Sequence, residues 1–258
     1  MFISKAHLAE VLFTKLVLNL KAEAAKTYLS YVWWLLEPIL MVAVLYLVFA
    51  VFLATRTPDF LIFLVCGKIP FLWFSKSVSH ASGSINAGRG LINQVSIPMP
   101  FFPILVVFQD AFKQSVVFAL MFAFFFLYGL DVTWVWLTII FVILTQLLLI
   151  IALSLLVAAI TPFLPDFRYL ITAGMMALML GSGIFYSYKS VLLPEHQQLF
   201  LMNPVANLIK NYRQVLMENI QPDWTALGYI CLGSIALIIV MALYYRRTDT
   251  SYARLIAQ

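Results

Sequence analysis

The chain has 258 residues, 64% of them hydrophobic and only 10% charged, with a formal net charge of +5 and a mean hydropathy of +0.99. Soluble domains carry roughly a quarter charged residues, so this composition excludes a water-soluble globular protein and defines an integral membrane protein. A bilayer core about 30 Å thick takes about 20 helical residues per crossing, which allows roughly six or seven spans and little extramembrane domain.

Residues 4 to 28 place Leu8, Leu12, Leu16 and Leu20 four apart, with lysines on other faces. That pattern predicts an amphipathic helix lying in the interface plane, within a segment reaching residue 31. Lys5, Glu10, Lys15, Lys21, Glu23 and Lys26 leave the first thirty residues without an uncharged apolar core or a cleavage site, so a retained, cytosolic N-terminus is expected. Apolar runs bounded by charge, Gly or Pro then predict six spans, at residues 32–54, 60–78, 103–129, 134–161, 169–187 and 225–245.

Six crossings place both termini on one side. Ten Lys or Arg residues lie in the N-terminal segment, the approach to and connection at 79–102, the 162–168 connection and the C-terminal tail, against four (Arg56, Lys189, Lys210 and Arg213) in the opposite connections. This bias predicts cytosolic termini and accounts for the basic charge without nucleic acid. Residues 79–102 begin Gly-rich and end with Pro98 and Pro100, so a short cytosolic helix between two spans is expected. Residues 188–223 carry Pro194, Asn203-Pro204 and an amphipathic stretch ending near Met217. They are too polar to span and apolar enough for one or two short, partly inserted helices in the outer interface.

No catalytic constellation emerges: His7, His80 and His196 fall on different segments, and GSINAGRG lacks the Lys-Ser or Lys-Thr ending of a phosphate loop. Cys66 and Cys231 sit inside apolar runs and read as small buried hydrophobes rather than metal ligands. Asp110 and Lys113, three apart in the third span, are expected to neutralise each other on one helix face. Ala173, Ala177 and Gly181 give the fifth span a close-packing face, inside the protomer on one reading and at a dimer seam on another. Aromatic residues make up 16% of the chain. Tyr31, Trp33 and Trp34 cluster at the cytosolic rim, Phe71, Trp73 and Phe74 lie in the second span, and Phe185, Tyr186 and Tyr188 end the fifth. Interfacial belts explain many of them. A pathway for sugar chains, whose pyranose rings would pack an apolar C–H face on flat aromatic faces, stands as the other reading.

The motifs occur in a telling order: YLSYVWWLLEPIL followed by Tyr46, Val48 and Phe49; IPFLWFSKSVS; INAGRGLINQVSIPMPFFP with Asn86, Leu91, Ile92 and Pro98; TPFLPDFRYL; SGIFY; LMNPVANLIKNYRQVLMEN with Asn203, Pro204 and Arg213; and PDW at 222–224. Nearly end to end, the chain resembles the membrane subunit of polysaccharide ABC exporters, the ABC-2 permeases that move O-antigen, capsular or teichoic acid chains. Where many relatives read Arg-Asp before the fifth span, this chain reads Asp166-Phe167-Arg168, so the location of that contact carries over and the pairing of each residue does not.

The resemblance implies a single all-α membrane domain over residues 1–258, with six transmembrane helices, the N-terminal interface helix and periplasmic re-entrant helices between spans five and six. It implies a homodimer with its channel on the two-fold axis, bound to two copies of a cytosolic ATPase that holds ATP and magnesium; this chain itself binds no cofactor or metal. The expected location is a bacterial inner membrane. Lys15, Lys21, Gly88, Arg89, Asn93, Gln94, Asp166 and Arg168 are the expected ATPase-coupling residues. Tyr31, Trp33, Trp34, Phe71, Trp73, Phe74, Phe185 and Tyr186 are the channel and glycan candidates. Glu37, Pro38, Asp110, Lys113, Asn203, Pro204 and Arg213 are expected to be structural, with Pro38 redirecting the first span and Glu37 pairing with Lys26 or with a base on the ATPase. The implied cargo is a lipid-linked polysaccharide, O-antigen in the first place and capsule in the second. A smaller-solute exporter and a membrane glycosyltransferase are the competing classes.

Overall fold

The computed structural model describes residues 5–25, 30–52, 59–92, 97–191 and 193–257, all helical or in short connections. In chain order come α1 (Lys5–Ala25), a 3-10 turn (Ser30–Val32), α2 (Trp33–Tyr46) continued by a π-helical stretch (Leu47–Phe52), and α3 (Phe60–Ser82). Next are α4 (Ser84–Ala87), α5 (Arg89–Ile92), α6 (Phe101–Tyr128), a 3-10 segment (Trp134–Thr138) and α7 (Ile139–Ile160). The chain ends with α8 (Phe167–Gly181), α9 (Tyr188–Val191), α10 (Pro194–Leu201), α11 (Pro204–Leu216) and α12 (Trp224–Ala257).

Among the described residues, four helical segments have the length and hydropathy to cross a bilayer: Phe60–Ser82, Phe101–Tyr128, Trp134–Ile160 and Trp224–Thr248. These are the expected second, third, fourth and sixth spans. The expected first and fifth spans coincide with shorter apolar helices, Trp33–Phe49 and Phe167–Gly181.

α3 is the axis of the bundle, with α6, α7, α11, α2 and α8 packed around it. Seventeen of its 23 residues are buried, as a helix with neighbours on every side requires. It contains Pro70, which removes one backbone N–H from the helix. Side-chain amides from two neighbours serve the carbonyls beside it: Gln146 Nε2 on α7 donates to Pro70 O at 2.8 Å, and Gln114 Nε2 on α6 donates to Ile69 O at 3.5 Å. α6 ends at Gly129, whose φ of +92° suits a residue without a Cβ and whose N–H closes on Phe125 and Phe126.

A second apolar cluster joins the α4 and α5 connection to the bundle. Ile85, Phe101, Phe102 and Leu105 pack with Leu155, Ala158 and Ala159 of α7 and with Met241 and Tyr245 of α12, and Val11, Leu12 and Leu16 of α1 lie along its edge. The predicted leucine stripe of α1 is thus its packing face from Leu12 to Leu20, with Leu20 and Ala24 buried and Phe13 and Leu18 exposed.

Several expectations change. α2 is continuous through Pro38, its sixth residue, which lacks the N–H that would bond the carbonyl four residues back. The fifth span stops at Gly181, ahead of Gly183, whose φ is +69°. The cytosolic helix expected around residues 88–96 is two single turns, α4 and α5, and residues 93–96 lie outside the described residues. The 246–258 tail continues α12 as helix to Ala257. Most tellingly, α11 does not lie on a surface. Ten of its thirteen residues are buried, Asn207, Asn211 and Arg213 among them.

Candidate functional site

Four helices converge on a charged cleft of about 280 Å³. α1 contributes Glu23; α2 contributes Trp34, Glu37 and Pro38; α3 contributes Trp73, Lys76 and His80; α6 contributes Asp110, Lys113 and Gln114. Lys76 Nζ meets Glu37 Oε2 at 2.5 Å. Lys113 Nζ lies 2.8 Å from Glu23 Oε1, 3.5 Å from Asp110 Oδ1 and 5.9 Å from the centroid of the Trp34 ring. His80 Nδ1 is 2.8 Å from Asp110 Oδ2.

Asp110 and Lys113 are therefore not the isolated pair expected from their spacing. Each has a closer partner on another helix, which links α1, α3 and α6 through one network. Glu37 is paired with Lys76; Lys26, its expected partner, lies outside the described residues. The helix spacing Lys76/His80 and Asp110/Lys113 puts each pair on one helix face, and α3 and α6 bring the two faces together.

The aromatic candidates do not form one file. Tyr31 and Trp33 are exposed; Trp34 packs edge-on against Tyr31 at 4.9 Å and lines the cleft. Phe71 and Phe74 are buried toward Gln146 of α7 and Leu208 and Ile209 of α11. Trp73 is buried, edge-on to Phe118, and its Nε1 has no hydrogen-bond partner among the described residues. Phe185 stacks on Phe49 at 4.9 Å, and the Tyr186 hydroxyl donates to Leu180 O.

Of the coupling candidates, Arg168 is the one whose contact places it at the α3 to α4 junction. Arg89, Asp166 and Arg168 are exposed, and Arg168 Nη2 lies 3.2 Å from where a Cβ on Gly83 would stand. Gly88 lies under Phe102, whose ring carbon would be 2.3 Å from an added Cβ, so only glycine fits. Lys15 is half-buried and Lys21 exposed on α1, while Asn93 and Gln94 lie outside the described residues.

Asn203 caps α11 by accepting from Val205 N at 3.0 Å, with Pro204 in the first turn, and its amide donates to Ser182 Oγ. Arg213, buried, donates to the carbonyls of Phe63, Gly183 and Ile184. Both residues thus hold the turn after α8 against α11 and α3. The small face of α8 is not packed inside the protomer as one reading had it: Ala173, Ala177 and Gly181 are exposed. Lys68 was missed. It is 1% exposed in the middle of α3, with Nζ 3.0 Å from Met179 Sδ and 5.7 Å from the Phe71 centroid. A lone lysine in the otherwise uncharged run of residues 60–75 was its signal.

The apolar helices and outward-facing hydrophobic surface define a multi-pass helical membrane protein. Comparison with known proteins specifies the class. The chain is 27% identical over 221 residues to the O-antigen export system permease protein RfbA of Myxococcus xanthus, covering 85% of each chain. It is 24% identical over 230 residues to the protein of that name from Klebsiella pneumoniae, covering 88% of this chain and 87% of the relative. It is 25% identical over 255 residues to the polysialic acid transport protein KpsM of Escherichia coli, covering 93% of each. No family model matches the chain. These relatives bear out the resemblance to ABC-2 polysaccharide-exporter permeases.

Proposed function

We propose that this chain is the membrane subunit of an ATP-driven exporter that carries a lipid-linked polysaccharide, O-antigen in the first place, from the cytosol across a bacterial inner membrane. The observation that carries this reading is the similarity to O-antigen export permeases over 85% of both chains. Two copies form the channel, six helices per copy cross the membrane with both termini in the cytosol, and two copies of a separate ATPase supply the energy. The exposed Arg89, Asp166 and Arg168 are the contact for that ATPase, with Lys15 and Lys21 of α1 alongside. Tyr31 and Trp33, exposed at the start of α2, receive the glycan. Capsule is the second reading, favoured by the 93% coverage of the polysialic acid transport protein.

Deleting the gene in its host and staining the glycan on intact cells and on lysed membranes tests the function. Finished polymer trapped inside, with none at the surface, supports export. Normal surface glycan, or no polymer at all, overturns it.

A further inference from the structure

The charged cleft continues into an apolar groove of about 610 Å³ between α2, α3 and α6, and the two share Pro38, Ile69 and Val117 as lining residues. From those shared residues the groove reaches Tyr46 on α2, Leu61 on α3 and Leu127 on α6. At 1.5 Å per residue these distances are about 12, 12 and 15 Å. Half of a hydrocarbon core about 30 Å thick is about 15 Å, so the groove has the depth of one leaflet. It opens sideways, since Ile39, Tyr46, Leu120 and Leu127 on its lining are exposed. A polar chamber at one end and an apolar trough one leaflet deep together make an amphiphile's shape.

The charges at the polar end select the headgroup. Three carboxylates, two ammonium groups and one imidazole meet there: Glu37 with Lys76, Glu23 and Asp110 with Lys113, and Asp110 with His80. A purely anionic headgroup would take a lysine and leave its carboxylate facing the other carboxylates, a like-charge contact. A zwitterion exchanges partners without leaving a bare charge: its phosphate takes Lys76 and its ammonium takes Glu37. A primary ammonium replaces the Lys76 ammonium group for group, N–H donors included. Trp73, which lines the cleft, carries a buried Nε1–H with no acceptor among the described residues.

We propose that the cleft and groove form a binding site for one phospholipid with a phosphoethanolamine headgroup, seated within the protomer. The occupant is a bilayer lipid rather than the exported glycan.

Native mass spectrometry of the purified full chain in detergent tests this, with phosphoethanolamine, phosphoglycerol and polyprenyl phosphate lipids added in turn at equal concentration. One phosphoethanolamine lipid per protomer is expected to survive activation that strips the phosphoglycerol lipid. Ala43→Trp, which fills the groove from α2, should cut the retained fraction at least tenfold. Glu37→Gln, on a side chain 57% exposed and so tolerant of change, should cut it about threefold and abolish the preference over phosphoglycerol. Equal retention of both phospholipids, unchanged by either variant, would mean annular lipid only. Preferential retention of the polyprenyl phosphate would give the cleft to the lipid carrier. A loss of dimer with unaltered lipid retention in Ala43→Trp would give the groove to a second copy of the chain. Each of these three overturns the proposal.

Discussion

Arg213 lies over Phe63, its guanidinium carbon 3.3 Å from the ring centroid, while its nitrogens donate to the carbonyl of that same residue at 3.2 and 3.3 Å. The other bonds, 2.8 Å to Gly183 O and 3.0 Å to Ile184 O, fix the chain where it leaves α8. One planar cation thus ties α11 to α3 and to the turn after α8. A lysine has neither the plane nor the fork. Arg213→Lys should lower stability by about 2 to 3 kcal/mol through lost charge-assisted bonds. Gly67→Ala should do the same by a different route, because its Cβ would stand 2.8 Å from Arg213 Nη2. Thermal unfolding in detergent reads both, and unchanged midpoints would show that the turn is held by other contacts.

Gly88→Ala tests the joint between α5 and α6. The new Cβ would meet the buried Phe102 ring at 2.3 to 3.0 Å, and a ring packed in a core cannot step aside without opening a void. Overpacking of this kind costs about 1 to 3 kcal/mol. Gly90→Ala is the control, since nothing lies within 4 Å of its added Cβ. Equal midpoints for the two variants would dismiss the joint.

Lys68 is buried with a thioether and an aromatic ring as its neighbours, and no carboxylate meets it among the described residues. An ammonium held so is costly. Lys68→Met, of similar length, should therefore raise stability by at least about 1 kcal/mol. Lys68→Ala should not, because it leaves a hole. A fall in midpoint for the methionine variant would show that the charge is needed where it stands.

Asp223 caps α12, accepting from Thr225 Oγ1 at 2.7 Å and Ala226 N at 3.1 Å on one oxygen and from Lys210 Nζ at 2.9 Å on the other. Its hydrogen bonds from Thr225 and Lys210 lower the carboxyl from 3.8 to about 2. A group depressed on folding stabilises the fold above its unfolded value and loses that contribution as pH falls through the folded one. Stability should therefore decline from about pH 4 toward pH 2 in the wild type, and Asp223→Asn should flatten that part of the pH profile. Asp223→Ala should cost about 1 kcal/mol at neutral pH as a lost cap. Parallel acid profiles for wild type and Asp223→Asn would refute the assignment.

The long spans were legible because their sequences are predominantly apolar, broken by few charges, and end at residues that stop helices, as Gly129 does for α6. The packing of α11 was not legible, because its polar residues Asn207, Asn211 and Arg213 are buried and bonded inside the protein. Asn207 and Arg213 donate to backbone carbonyls of other segments, and Asn211 donates to Asn207 one turn back and accepts from Asp223 N, partners that a local pattern does not show. The cleft was half legible. Glu37, Pro38, Asp110 and Lys113 were singled out one by one, but Glu23 and Lys113 are 90 residues apart and no spacing rule joins them. The resemblance supplied the class; the partners of the charges came only from the packing.

Of the fifteen residues of α8 only Ile171 is buried, and nothing lies within 4 Å of a Cβ added at Gly174 or Gly181. The rest of the bundle draws its cohesion from interior contacts; this helix draws little from them. A helix so short is marginal when alone in water. Its order is consequently on loan from the medium at its outer face. Solubilisation that thins this medium would fray α8 before it loosens α3, making it the first reporter of how faithfully a detergent imitates a bilayer.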